Sequence, residues 1–252
     1  MVPRTSFDPQ VHGFAFANSW QHPMRRPSLC QRVARYRQEG TFYTALTFAL
    51  YESLFGPRQK DHNDPSDQTN PPYGLCAGMC FAALDFYYSP ELTFPRGDHL
   101  GDQPGPGTAL HSYLWKRQLD SLIADGVQFL TWVTMLNRLP SGPRYLLKRS
   151  RAEWTRLKAR IAAGDPIPLG LVREAKNVFD NHQVLAIGYE EQDGASGTLM
   201  LYDPNCPDRE STVDLQFGES ELLGRESCED KPPLRGFFRE RYRRRYPAEL
   251  AG

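Results

Sequence analysis

The sequence predicts an α+β domain in which a mainly helical N-terminal part packs on a C-terminal antiparallel β-sheet. Three observations carry that prediction. Apolar residues recur at helical spacing in several segments before Gly164. After it, short apolar or alternating runs separated by Asn, Asp and Gly read as strands. Between a long polar stretch and Pro90, the run CAGMCFAALDFYY is small and apolar throughout, as a buried central helix requires.

The elements follow in order. The first 40 residues mix aromatic side chains with polar and proline breaks, and residues 13–20 (GFAFANSW) read as an extended arm or as core filler. Phe42, Leu46, Phe48, Ala49, Leu50 and Leu54 fall at helical spacing, and Gly56-Pro57 closes that stretch. Residues 57–73 (PRQKDHNDPSDQTNPPY) have no period and read as a long exposed loop. The abrupt switch that follows places a helix from about Cys76 to Tyr88, stopped before Pro90, with Cys76 at its N-terminus. A Gly/Pro-rich connection over residues 91–107 leads to a helix from Thr108 to about Ala124 that carries Leu110, Leu114, Leu119 and Leu122. Ser150 and Glu153 have capping-box spacing and open a further helix, whose buried face is Trp154, Leu157 and Ile161 and which Gly164 ends. Strands are expected at residues 166–172 (PIPLGLV), 183–190 (QVLAIGYE) and 198–203 (TLMLYD), the last two joined by a hairpin around Gln192-Asp193-Gly194. A final strand is expected from Leu234 to Phe238. The 252 residues read as one domain, with an arm to residue 40, a helical part over 41–165 and a β part over 166–246.

Composition narrows the class of function. Hydrophobic residues make up 40% and charged residues 24%, so the chain is neither broadly disordered nor of membrane type. Thirty basic residues balance thirty acidic ones, which removes any overall field towards nucleic acid or anionic membrane. The local exception is the run Arg239, Arg241, Arg243, Arg244 and Arg245 with Tyr242 and Tyr246, read as a solvated face or a basic docking patch. Five cysteines are an odd number without the spacing of a disulfide framework, so a reducing compartment is expected. No secretory signal and no membrane span is legible, and the expected location is the cytoplasm, although export by a signal-independent route leaves no mark in sequence.

The chemistry centres on Cys76. Unpaired backbone N–H groups and the helix dipole stabilise negative charge at a helix N-terminus, which suits both a thiolate and a developing oxyanion. Ala77 and Gly78 leave room there for a substrate. A cysteine nucleophile needs a base and a group to orient it. His182 stands directly before QVLAIGYE, where a strand start can hold an imidazole in a fixed direction, and Asp203 ends the next strand. The 21 residues between them are what a hairpin uses in going out and returning.

The strings YGLCAGMCFAALDFYY, NHQVLAIGYE and LYDPNCP, in that order, resemble the papain-like cysteine peptidase superfamily, in particular its bacterial branch of bacteriocin-leader-processing peptidases. AAGDPIPLGLV, where a helix ending in Gly leads into the first strand, is similar to the same branch. The resemblance spans roughly residues 68–207 and implies a papain-like fold, with Cys76 as nucleophile, His182 as base and Asp203 as orienter. It implies a peptidase or amidase working through an acyl-enzyme, or an acyltransferase or non-catalytic interaction domain of the same fold. The family's oxyanion-donating Gln a few residues before the nucleophile has two counterparts by position, Gln68 and Asn70.

Other readings of the same residues stay open. Cys80, one helical turn after Cys76, is the alternative nucleophile or a small buried thiol. Cys76, Cys80, His182 and Cys206 would make a zinc ligand set, although Cys-x-x-x-Cys within a helix is not a knuckle. Cys30 and Cys228 read as structural or surface thiols, and His12, His22, His62, His99 and His111 as loop or surface residues. No nucleotide fingerprint, Gly-rich phosphate loop or His-Glu-x-x-His helix is present, so no cofactor and no metal is expected. The expected partner is a peptide or amide substrate, not nucleic acid or membrane.

Overall fold

The computed structural model describes residues 2–20, 73–174 and 181–250. The chain divides into two compact units, Asn18–Leu75 and the remainder. In the smaller unit, Trp20 and Tyr73 exchange backbone hydrogen bonds of 2.9 Å and stack at 6.0 Å. The helix expected near residues 41–55 and most of the polar loop after it lie outside the described residues.

The larger unit holds, among the described residues, helices α1 (Pro9–His12), α2 (Cys76–Tyr87), α3 (Ala109–Arg138) and α4 (Gly142–Ala162), then six strands and a 3₁₀ turn, Ala248–Leu250. The strands are β1 (Ile167–Arg173), β2 (His182–Glu191), β3 (Ser196–Tyr202), β4 (Glu210–Phe217), β5 (Leu222–Glu226) and β6 (Leu234–Arg239). Each pairs antiparallel with the next, and β6 returns to β1 over Leu169↔Arg239 to Arg173↔Leu234, which closes a barrel. The open sheet of a papain-like fold is therefore not what this chain builds. Two strands absent from the sequence reading make the difference. β4 alternates buried and outward residues along ESTVDLQF, and the five-residue β5 touches β6 through Gly224↔Leu234.

The helices also differ from expectation. α2 begins at Cys76 as expected, and ten of its 12 residues are buried, since a helix apolar on all sides belongs inside. α3 is capped by Thr108, whose side chain accepts from His111 N–H, but runs on to Arg138 rather than stopping near Ala124. α4 starts at Gly142, so Ser150 is not a cap. Its buried hydroxyl instead accepts from Phe237 N–H of β6 at 3.1 Å, a tertiary partner that overrides the local Ser-x-x-Glu signal. Gly164 does end that region, at a φ of 92° that favours glycine.

The core lies between helix and barrel. Leu147, Trp154, Leu157 and Ile161 of α4 join Leu169, Leu171, Val184, Leu199, Leu201, Val213 and Phe237 of the strands in one apolar cluster. On the other side of β1, Val172 packs with Trp132, Val133, Leu146 and Phe238. β1 is thus buried along its whole length, which is why IPLGLVR reads as a continuous apolar run. α3 crosses α2 so closely that a Cβ on Gly78 would meet the Leu114 carbonyl oxygen at 2.2 Å. Gly78 therefore serves helix packing rather than substrate access. Residues 14–16 of the N-terminal arm are fully buried, as core filler.

Candidate active site

Cys76 is the first residue of α2 and is half-buried, whereas the rest of the helix's first two turns is fully enclosed. The Gly78 N–H is taken by Gln118 Oε1 of α3 at 2.9 Å, which leaves the amides of Cys76 and Ala77 at the head of the helix. A carbonyl oxygen held against Cys76 would face those two donors.

His182 opens β2 and Asp203 follows β3, and the antiparallel register Leu185↔Tyr202 carries both to the same edge of the barrel. His182 Nε2 lies 2.7 Å from Asp203 Oδ1, both side chains being almost wholly buried. The Cys76 sulfur is a second hydrogen-bond partner of the ring. Burial opposes charging of His182. The Asp203 carboxylate and the Cys76 sulfur outweigh it, and the imidazole's pKa is pushed up to about 10. Burial likewise opposes ionisation of Asp203. The His182 charge and hydrogen bond, the Asn205 N–H at 2.8 Å and the nearby Arg173 nevertheless hold its carboxyl below the usual range. The three residues singled out from sequence are thus brought together.

The turn that carries Asp203 is fastened. The Cys206 N–H donates to the Asp203 carbonyl at 2.9 Å, and Cys206 is joined to Cys228 by a disulfide with Cα atoms 5.8 Å apart. Two corrections follow. Cys228 is not a free thiol, and one pair of the five cysteines is a cross-link. Cys206 is also unavailable to metal, which dissolves the zinc set, and no other group of metal-binding side chains occurs among the described residues. Cys80 is fully buried, and burial first, with Cys76, Glu240 and Asp203 acting in the same direction, pushes its thiol well above the usual range, so it is a poor alternative nucleophile. His111, expected at the surface, is buried in the first turn of α3. His12 ends α1 and reaches back to its N-cap residue, its Nδ1 accepting from Asp8 N–H at 2.9 Å.

Gln68 and Asn70, the oxyanion donors suggested by resemblance, lie outside the described residues. The side chain that does reach Cys76 is Gln183, which sequence reasoning missed. The Cys76 thiol donates to Gln183 Oε1 at 2.8 Å, and Gln183 Nε2 lies 3.4 Å from Ser121 Oγ of α3. Ser121 Oγ is in turn 3.3 Å from both carboxyl oxygens of Glu240, just past β6. Burial and then the negative charge of Asp125 push the pKa of Glu240 up to about 8, with Gln183 and Ser121 as its hydrogen-bonding donors.

The arginine-rich C-terminus is a solvated face, with Arg241, Arg243, Arg244 and Arg245 exposed, and it is also fastened to the helices beneath it. Arg241 donates to Asp125 Oδ1 at 2.8 Å, Arg244 to Ser89 Oγ at 3.0 Å and Arg245 to Asp120 Oδ1 at 2.6 Å, while the Arg243 carbonyl accepts from Arg117 at 2.9 Å. This strap holds Glu240 against α3. No described helix is long and apolar enough to cross a membrane. No family model matches the chain, and no curated protein or solved structure matches it either.

Proposed function

We propose that the chain is a cysteine-nucleophile acyl-transfer enzyme, a hydrolase of peptide or amide bonds that works through an acyl-enzyme on Cys76. The observation that carries this reading is the convergence, from three separate stretches of sequence, of a helix-initial thiol, a buried imidazole and a buried carboxylate bonded to it at 2.7 Å. Cys76 attacks the carbonyl carbon as the thiolate of an ion pair with the charged His182, its proton being the one that His182 carries, and the displaced electron pair rests on oxygen opposite the Cys76 and Ala77 amides. The tetrahedral species collapses to a thioester as the amine leaves with a proton from His182, which its surroundings keep charged at neutral pH. Water then attacks the thioester and gives its proton to His182, and collapse releases the acid and the Cys76 thiolate beside the recharged imidazole. Asp203 fixes the ring's tautomer and direction throughout.

The Cys206–Cys228 cross-link favours an oxidising compartment over the cytoplasm that the cysteine count suggests. The enzymatic reading is tested with p-nitrophenyl acetate and mass-spectrometric mapping of the acetyl group. A fast burst with the acetyl group on Cys76, lost in Cys76→Ala and slowed at least about 10²-fold in His182→Ala, is the expected result. Slow labelling spread over lysines and other thiols in wild type would sink it.

A further inference from the structure

We propose that Gln183 acts directly on the Cys76 sulfur and that Ser121 and Glu240 set the direction of its amide, so that the protonation of Glu240 regulates the nucleophile. This rests on the acyl-transfer reading and deepens it. The geometry is a continuous line that runs from a half-buried to a buried end: Cys76 Sγ to Gln183 Oε1 at 2.8 Å, Gln183 Nε2 to Ser121 Oγ at 3.4 Å, and Ser121 Oγ to both Glu240 oxygens at 3.3 Å. Ser121 and Glu240 are both buried, at 1% and 7% exposure, so water does not readily substitute for either.

An amide has one accepting and one donating end, which gives the line its logic. With Oε1 towards Cys76, Gln183 accepts from a neutral thiol but repels a thiolate or an oxyanion. A half-turn about the last side-chain bond presents Nε2 to the sulfur, which suits the charged forms, and sends Oε1 towards Ser121 and Glu240. That second arrangement needs a proton to donate at the far end. Neutral Glu240 has one, which it gives directly or through the Ser121 hydroxyl. Ionised Glu240 has none, demands N–H from Gln183, and locks the accepting oxygen on Cys76. Protonated Glu240 thus permits the reactive arrangement and ionised Glu240 opposes it.

The other charged groups around the line fit the same direction. Asp125 of α3 faces Glu240 and is itself paired with Arg241, so it favours a neutral Glu240. Cys80 of α2 and His182 and Gln183 of β2 complete the surroundings. The Cys80 thiol, kept protonated, donates to the Gln183 carbonyl at 3.8 Å, and His182 is held charged against Asp203. From β1, the Pro168 carbonyl accepts the Glu240 N–H at 2.9 Å.

The test follows iodoacetamide alkylation of Cys76, mapped by mass spectrometry, between about pH 6 and 9 in wild type, Glu240→Gln, Gln183→Leu and His182→Ala. Glutamine at 240 can donate at every pH, so the Glu240→Gln rate divided by the wild-type rate is expected to climb about tenfold across that range, the loss of neutral Glu240 one unit above its midpoint. Gln183→Leu is expected to remove the difference. A ratio flat with pH, or an alkylation rate unmoved by Gln183→Leu, overturns the proposal. If His182→Ala slows alkylation while the ratio stays flat, the triad stands and this proposal alone falls. If Cys76 reacts like a solvent thiol in wild type and in His182→Ala, both fall together. Should Glu240→Gln not fold, Gln183→Leu answers the same question: its rate divided by the wild-type rate is expected to climb with pH in the same way, since leucine cannot be locked by an ionised Glu240, and a flat ratio counts against the proposal.

Discussion

The two ends of α2 are built on opposite principles. At its N-terminus Cys76 is half-buried and meets a single amide oxygen and a charged imidazole. Near its C-terminus Asp85 is wholly enclosed. It is paired with Arg117 at 2.7 Å and accepts from Tyr113 at 2.8 Å, Tyr242 at 2.7 Å and the Arg245 N–H at 2.8 Å. Arg117 in turn lies over the rings of Phe81 and Tyr242 at 5.0 and 5.5 Å. Burial still raises Asp85 above the usual carboxyl range, with Arg117 and the donors working against it. A buried charge that holds structure is supplied with donors on every side, whereas the site end is left undersupplied and free to rearrange.

The sharpest way to break this comparison is a pair of substitutions on the two networks. Arg117→Ala strands Asp85 without its cation and is expected to cost about 3–5 kcal/mol, seen as a large drop in the denaturation midpoint. Cys76→Ala is expected to leave that midpoint nearly unchanged while abolishing acylation by p-nitrophenyl acetate. If Cys76→Ala unfolds the protein and Arg117→Ala does not, the division of labour along α2 is wrong.

The next effect is in pH. His182 and Glu240 both have pKa values raised in the folded state, so the stability linked to each is fully present below its unfolded value and lost as pH rises through its folded value. For Glu240 the window runs from 4.5 to about 8, and for His182 from 6.5 to about 10. Asp203, depressed in the folded state, has the opposite sign: its contribution is present above 3.8 and is lost as pH falls through its lowered folded value. Thermal unfolding should therefore come several degrees earlier at mildly alkaline than at mildly acidic pH, and Glu240→Gln should remove the lower part of that decline. An unchanged slope in Glu240→Gln would show that Glu240 ionises normally.

A smaller change is expected from Gly78→Ala. Its new methyl group meets the Leu114 carbonyl, a backbone atom that yields only if α2 and α3 part, at about 1–3 kcal/mol. Because Cys76 rides on the same helix, acylation should weaken along with stability, and a stable but inactive variant would sharpen the link between packing and site. The smallest effect belongs to Arg245→Ala. This half-exposed partner of Asp120 should cost about 0–1 kcal/mol in a denaturant titration.

How far the sequence carried differs between site and fold. Cys76, His182 and Asp203 were legible because each sits at a composition break: polar loop to apolar helix, Asn-His to apolar strand, strand to Asp-Pro. The barrel was not. Its fourth strand does alternate along STVDLQF, but it follows a turn of Pro, Asn, Cys, Asp and Arg, and β5 is too short and too mixed to stand out. Closure also depends on β6 returning to β1, a pairing between residues far apart that leaves no local signature. The strand hairpin at Gln192-Asp193-Gly194 was read correctly, since Asp193 Oδ1 accepting from the Ala195 and Ser196 N–H groups is local chemistry. Gln183 and Glu240 were missed for the opposite reason. One is hidden in an apolar strand and the other in a charge run, and only the fold makes them neighbours.

The cross-link beside Asp203 bears on how any assay of this protein must be set up. Thiol reagents that keep Cys76 reduced also exchange with Cys206–Cys228, whose opening loosens the turn that aims the carboxylate. Acylation of Cys76 by p-nitrophenyl acetate should accordingly pass through a maximum as dithiothreitol is raised, rather than level off as it would with one class of sulfur.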